Sequence, residues 1–215
     1  MTSISVRTLS DQVFEIVRER IVAGTIAAGA SIRQDALAGE LGVSKIPLRE
    51  ALVRLEHEGL IHGQANRGYT VRPLSFEQAD EIYALRLAVE PAAAGAGATV
   101  ADETARANAR HALTALEAAQ VTAPEDVARR HREFHVALVS PADRPITTRL
   151  VERLAILAER YVIAHLAPAG RYARADREHH DLLDMWVAGD GIAVERLMVR
   201  HLEATRSDLR VQLRG

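Results

Sequence analysis

The sequence predicts a mainly α-helical protein in two parts. Three helices and a β-hairpin occupy residues 1–74, and an antiparallel six-helix bundle occupies residues 75–215. Three observations predict this. Aromatic residues make up 4% of the 215-residue chain and apolar residues 48%, a balance that favours alanine- and leucine-rich helices over a β-sandwich. Apolar residues recur at three- and four-residue spacing through most of the chain. Strand-forming residues around a polar turn gather in one short stretch, residues 60–71.

The elements follow in order. Val13, Ile16, Val17 and Ile21 give the first helix its apolar face, and Ala23-Gly24 and Gly29 interrupt it. Leu37 and Leu41 mark a short second helix that ends at Gly42, a residue suited to the left-handed position after a helix. Ser44 stands where an N-cap belongs, and Pro47 lies in the first turn, where its missing N–H costs nothing. Leu48, Ala51, Leu52 and Leu55 then line one face of a third helix, which Gly59 ends. Leu60-Ile61 and Tyr69-Thr70-Val71 flank the polar turn 64–68 and read as a hairpin. Pro73-Leu74-Ser75 forms a linker. Helices follow near residues 76–98, 102–120, 124–140, 145–166, 171–188 and 191–212. Pro141, Pro145, Pro168, Gly170 and Gly189-Asp190 separate them, with Asp190 placed to cap the last. Short connections make an antiparallel bundle.

Composition narrows the function classes. The chain has no cysteine, which excludes disulfides, thiolate metal sites and cysteine nucleophiles. The first residues lack the basic-then-apolar pattern of a signal peptide. The most apolar stretch, residues 87–101, is broken by Glu90 and Pro91 and cannot span a bilayer. A cytoplasmic protein with no membrane partner is the expectation. Net charge is −2, but residues 1–74 hold nine Lys/Arg against eight Asp/Glu, and the remainder holds 18 against 21. The asymmetry has the sign of a DNA-binding N-terminus and is too small to decide.

Helix, short helix, four-residue turn, helix and β-wing is the order of a winged helix-turn-helix. Such a unit must present the N-terminal turn of its last helix to base edges while the opposite face rests on the two helices before it. Lys45 and Arg49 lie four apart, away from Leu48 and Leu52, so both can point outward together. Ser44 can cap this helix and donate to a phosphate, which the free N–H groups of the helix end also favour. Arg67 at the wing tip can reach the minor groove or the backbone. The plainer reading of two isolated cations is a solvated helix face.

The whole segment resembles the DNA-binding domain of the GntR superfamily of bacterial regulators. The matching features run through residues 9–73: Ile21-x-x-Gly24, Gly29, Leu37-Ala38, Gly42-Val43-Ser44, Pro47-x-Arg49-Glu50-Ala51-Leu52, Leu55, Gly59-Leu60 and Arg67-Gly68. The resemblance implies that Lys45 and Arg49 contact operator bases, with Ser44 and Ile46 beside them, and that Arg67-Gly68 lies in the wing. Lys45 stands where arginine is usual, which turns two-point reading of a guanine into one-point contact. Ile46 replaces a small polar residue and can touch a thymine methyl. Asp35 occupies a position where some members place a base-contacting arginine.

The bundle carries a second constellation. His131 and His135 are four apart on one helix face, with Phe134 adjacent. His179 lies ten residues before Gly189, and His201 lies eleven after Asp190. If those two helices form a hairpin, they bring His179 and His201 to similar height, and four imidazoles converge. An i,i+4 histidine pair is otherwise a surface pair or a satisfied core pair. His57, His62, His111, His165 and His180 take that plainer reading.

Residues 76–212 resemble the FCD effector domain of the FadR subfamily. The resemblance rests on Leu85-Arg86-x-x-x-Glu90, Phe134-His135-x-x-Leu138, Glu178-His179-x-x-Leu182-Leu183, Gly189-Asp190 and His201. Six helices rather than seven suggest the shorter, VanR-like branch. Many such domains bind a divalent metal through an aspartate, a histidine four residues later and two further histidines. His135, His179 and His201 fall on the histidine positions, and His131 falls on the aspartate position. Four neutral imidazoles leave the full +2 on the ion and favour Zn²⁺, Ni²⁺ or Cu²⁺, zinc or nickel first. A rival arrangement turns His131 away and leaves three ligands. Arg86 either pairs with Glu90 in a helix-surface salt bridge or meets a carboxylate effector near the metal.

The resemblance implies a homodimer on double-stranded palindromic operator DNA, acting as a repressor that a small carboxylate effector releases. Two other readings stand beside it. One is a histidine-metal enzyme, which needs an open coordination position and a general base. Glu133 and Glu178 are expected on other helix faces than the ligands, and no enzyme is expected. The other is a regulator with a purely structural metal.

Overall fold

The computed structural model describes residues 7–64, 68–122, 126–165 and 171–214. The chain divides into two compact units, Met1–Leu74 and Ser75–Gly215.

In the first unit α1 (Leu9–Val22), α2 (Gln34–Leu41) and α3 (Lys45–His57) surround a core that a small sheet closes. Thr8 and Asp11 cap α1 reciprocally. Hydrogen bonds from Thr8, and then from Arg54, hold the Asp11 carboxyl down at about 2. Val13, Phe14, Val17 and Ile21 face inward, whereas Ile16 is 44% exposed, so the apolar stripe runs through Phe14 instead. Gly42 takes the left-handed φ of 65° that turns α2 into α3. Leu48, Ala51, Leu52 and Leu55 are fully buried.

The sheet has three strands: β1 (Ser31–Ile32), β2 (Ile61–Gln64) and β3 (Gly68–Val71). β3 lies in the middle, antiparallel to both neighbours, with Ser31 opposite Thr70 and Ile61 opposite Val71. The hairpin is the expected one, but β1 was not expected. Two residues are too short to show the alternation that marks a strand.

The second unit consists of α4 (Phe76–Val100), α5 (Glu103–Thr122), α6 (Val127–Val139), α7 (Pro145–His165), α8 (Arg171–Val187) and α9 (Gly191–Arg214). A single 3-10 turn, Ser140–Ala142, follows α6. α4 packs along α9 and touches α6, α7 and α8. Its second half approaches its neighbours backbone to backbone. A Cβ on Gly97 would lie 2.1 Å from the Leu138 carbonyl oxygen, and one on Gly95 would lie 2.8 Å from that of Gly191. Trp186 closes this corner by donating from Nε1 to the same Leu138 oxygen at 2.9 Å. Asp190 caps α9, accepting from the Ala193 amide at 3.0 Å. No helix among the described residues is long and apolar enough to cross a membrane.

Candidate functional site

Two sets of side chains carry chemistry, one in each unit. In the first, Lys45 and Arg49 are exposed on α3, opposite the buried Leu48 and Leu52. Ile46 is 71% exposed beside them. Ser44 occupies the N-cap position, but its hydroxyl makes no cap hydrogen bond, contrary to the expectation that it caps α3. The first-turn amides and the Ser44 hydroxyl therefore stay outside a capping interaction. Lys45 Nζ reaches Asp35 Oδ1 on α2 at 2.5 Å. Gly68 begins β3 with φ of 79°, and Arg67 lies outside the described residues.

In the second unit α6 supplies His131 and His135, α8 supplies His179 and α9 supplies His201. One ring nitrogen of each lies within 4.8 Å of those of the other three. The nearest pair of rings, His131 and His135, has centroids 4.5 Å apart, and His179 and His201 lie at 4.8 Å. His131 is half-buried and the other three are buried. Phe134 packs edge-on against His179, its ring centroid 5.3 Å away, and walls one side. His180 points outward to Glu117 at 2.6 Å.

Burial first, and then the neighbouring imidazoles and Arg86, push His131 well below the ordinary histidine value. Burial also lowers His135, although Glu90 pulls it back up. Both imidazoles are thus neutral near pH 7, with lone pairs available to a cation. His131 Nε2 and His135 Nε2 are 3.2 Å apart. Zn–N bonds of about 2.0–2.1 Å set a tetrahedral edge of about 3.3 Å, so this pair matches at once. The widest separation, at most 4.8 Å, must close by roughly 1.5 Å to reach that edge. The donor set fits a borderline divalent metal.

Around the four histidines the structure adds what residue spacing did not foresee. Arg86 and Glu90 pair, but deep inside rather than on a helix surface, with exposures of 3% and 0%. Arg86 Nε donates to Glu90 Oε2 at 2.8 Å and Nη2 donates to Oε1 at 3.0 Å. Burial would raise the Glu90 carboxyl, but Arg86 and His135 outweigh it and hold the group ionised. Glu90 Oε1 also meets His135 Nδ1 at 2.5 Å. Glu178 does not point away from the ligands: its Oε2 accepts from His201 Nδ1 at 2.8 Å. Only Glu133 turns aside, to Arg129 and Arg130. An open groove of about 540 Å³ between α5 and α6, lined in part by Asn108, Arg132 and Ser140, includes none of the four histidines.

Comparison with known proteins follows the same division. Residues 9–71 match the family described as bacterial regulatory proteins, gntR family, and residues 81–204 match the FCD domain. The uncharacterized HTH-type transcriptional regulator BphR of Paraburkholderia xenovorans (strain LB400) is 30% identical over 216 residues, spanning 96% of this chain and 87% of that one. The HTH-type transcriptional repressor RspR of Escherichia coli (strain K12) is 28% identical, spanning 94% and 89%. Among solved structures, E. coli McbR/YncC superimposes with a TM-score of 0.85 at 22% identity, covering 96% of this chain and 99% of that one. That likeness concerns the fold.

Proposed function

This chain belongs to the GntR family of bacterial regulatory proteins, as a DNA-binding transcriptional regulator with an FCD domain rather than an enzyme, and on that premise we propose that it is a repressor controlled by a small organic acid bound beside a divalent metal. The observation that carries the metal is the convergence of His131, His135, His179 and His201 from three helices onto one point. The ion is Zn²⁺ or Ni²⁺, because four neutral nitrogens suit borderline metals and offer nothing to hard, oxygen-seeking ones. When bound, it supplies positive charge and Lewis acidity to which an effector carboxylate coordinates.

Arg86 supports a carboxylate effector only conditionally. Its Nε and Nη2 are held by Glu90, so an effector reaches that edge of the guanidinium only by taking the place of Glu90. Such an exchange would free Glu90 from Arg86 and disturb His135. Effector binding and metal geometry are thereby linked.

DNA is read by a homodimer that places two α3 helices in successive major grooves of a palindromic operator. Lys45 and Arg49 meet base edges, Ile46 meets a thymine methyl, Ser44 meets a phosphate, and Arg67-Gly68 form the wing. Repression is proposed because RspR, which this chain matches over 89% of its length, is named a repressor. Linkage requires that operator DNA lower effector affinity by the factor by which effector lowers operator affinity.

The test is in two steps. Genomic fragments retained by the zinc- or nickel-loaded protein are sequenced, and the recovered site is titrated with and without metal and with a panel of carboxylates. A short palindrome whose binding weakens with one carboxylate supports the reading. Less than one equivalent of metal after reconstitution refutes the metal centre, and no enriched sequence refutes the operator. A purely structural metal is the second reading, favoured by the burial of three of the histidines and by the hold of Glu90 on Arg86. A panel that never shifts the melting temperature of the metal-loaded protein would select it.

A further inference from the structure

Two chains of contacts with the same form lead away from the histidines. On α4, Arg86 and Glu90 stand one turn apart, and Glu90 reaches across to His135 Nδ1 at 2.5 Å. On α8, Arg174 and Glu178 stand one turn apart, and Glu178 reaches across to His201 Nδ1 at 2.8 Å. Each carboxylate thus engages a ring Nδ1, and for His135 this is the nitrogen away from His131. A carboxylate only accepts, so each Nδ1 must carry the proton, which in a neutral ring leaves the lone pair on Nε2. For His135 that Nε2 faces His131 Nε2 at 3.2 Å.

Resting on the metal reading above, we infer that Glu90 and Glu178 are positioning residues of the centre, which fix His135 and His201 as Nε2 ligands. The arrangement matters here because no carboxylate stands among the four candidate ligands to orient or anchor the ion directly. Second contacts of this kind set both the tautomer and the direction of the ring, and losing one costs about 10- to 100-fold in metal affinity.

The two arms differ in rigidity. Glu90 is sealed at 0% exposure, and both its oxygens accept from donors: Arg86 Nε on one, Arg86 Nη2 and His135 Nδ1 on the other. A glutamine there must aim its NH2 at one of those donors in either orientation. The Glu178 side chain is 28% exposed, its Oε2 serves His201, and its Oε1 lies 3.4 Å from Arg174 Nε. A glutamine there can give its oxygen to His201 and its NH2 to water, because Arg174 keeps Asp208 as its partner. Glu90 is therefore the strict member of the pair, and Glu178 the tolerant one.

The experiment uses the full chain. Zinc affinity is measured by competition with a coloured chelator for wild type, E90Q, E178Q and E178A, and histidine tautomers are read by nitrogen-15 NMR in the metal-free proteins. Expected are a loss of about 10- to 100-fold for E90Q, a similar loss for E178A and less than about threefold for E178Q. The His135 ring should change from one tautomer to a mixture in E90Q, which a purely structural role would not cause. Should E90Q fold poorly around a stranded Arg86, the R86L/E90Q double variant removes that charge and must show the same tautomer mixing. If wild type binds zinc and every variant binds it within twofold with unchanged tautomers, the inference falls and the metal centre stands. If wild type binds no metal, both fall together.

Discussion

Adding one methyl group at Gly97 should disturb the proposed metal centre without touching any of the four histidines. Its Cβ would sit 2.1 Å from the Leu138 carbonyl oxygen, where ordinary contact begins at 3.4 Å. The obstacle is backbone, so α4 and the end of α6 must part by about 1.3 Å, and no rotamer change relieves it. Overpacking of this kind costs about 1–3 kcal/mol. Weakening the Trp186 bond to Leu138 adds about 1 kcal/mol. The better helix propensity of alanine returns about 0.8–1.0 kcal/mol, leaving a net loss of about 1–3 kcal/mol for G97A. Leu138 is one turn from His135, and metal–ligand distances tolerate only about 0.2 Å, so zinc affinity should fall about tenfold or more. Urea denaturation of the metal-free protein measures the first quantity, with emission from Trp186, the chain's one tryptophan, reporting the contact itself. Chelator competition measures the second. The matched control is G39A in α2, where a Cβ meets nothing within 4 Å, and the substitution should stabilise by about 0.4–1 kcal/mol. G97A with wild-type stability, emission and zinc affinity would refute the claim that backbone contact at Gly97 sets the position of α6.

Three further outcomes are expected. Hydrogen bonds from Arg206 and Arg210 hold the Asp80 carboxyl well below its ordinary 3.8. A depressed carboxyl stabilises above its unfolded value and loses that contribution as pH falls through the folded one, so D80N should cost about 0.5–1 kcal/mol at pH 7 and progressively less below about pH 4. Thermal melts across pH check this; a penalty that grows in acid would contradict it. Removing the acid that holds Lys45, in D35A, should raise operator affinity roughly 2- to 10-fold, while K45A should lower it and relax the preference at the base it meets. Fluorescence anisotropy at several salt concentrations reads both, and unchanged affinity in D35A would mean that the pair does not compete with DNA. H131D puts a hard oxygen among the donors, so the ratio of Mn²⁺ to Zn²⁺ affinity should rise by about tenfold or more, and an unchanged ratio would place His131 outside the coordination sphere.

Helix ends were readable because proline and glycine mark them chemically: Gly42 takes a left-handed φ and Asp190 caps α9 where the residue types require it. The convergence of His179 and His201 was readable for a geometric reason. Equal numbers of residues on either side of a tight helical turn rise equally at about 1.5 Å each, and the two rings stand 4.8 Å apart. Contacts whose geometry depends on how helices lean against one another were not readable. Arg86 and Glu90 announce an i,i+4 pair, but nothing in residue spacing shows whether that pair faces water or His135, so a surface salt bridge and a buried support look alike. The same holds for Glu178, whose helical phase suggests a different face from the adjacent His179, yet whose longer side chain reaches His201 on the neighbouring helix. Phe14 stands in the core and Ile16 outside it for the same reason, since the face of α1 that meets α3 carries Val13, Phe14, Val17 and Ile21. The converging histidines are therefore legible from chain position, whereas the carboxylates that touch them depend on interhelical distances of a few ångströms, which close contacts such as Gly97 on Leu138 define. The four-histidine cluster is encoded twice, once in its histidines and once in the glycines that let the helices come near enough to support them.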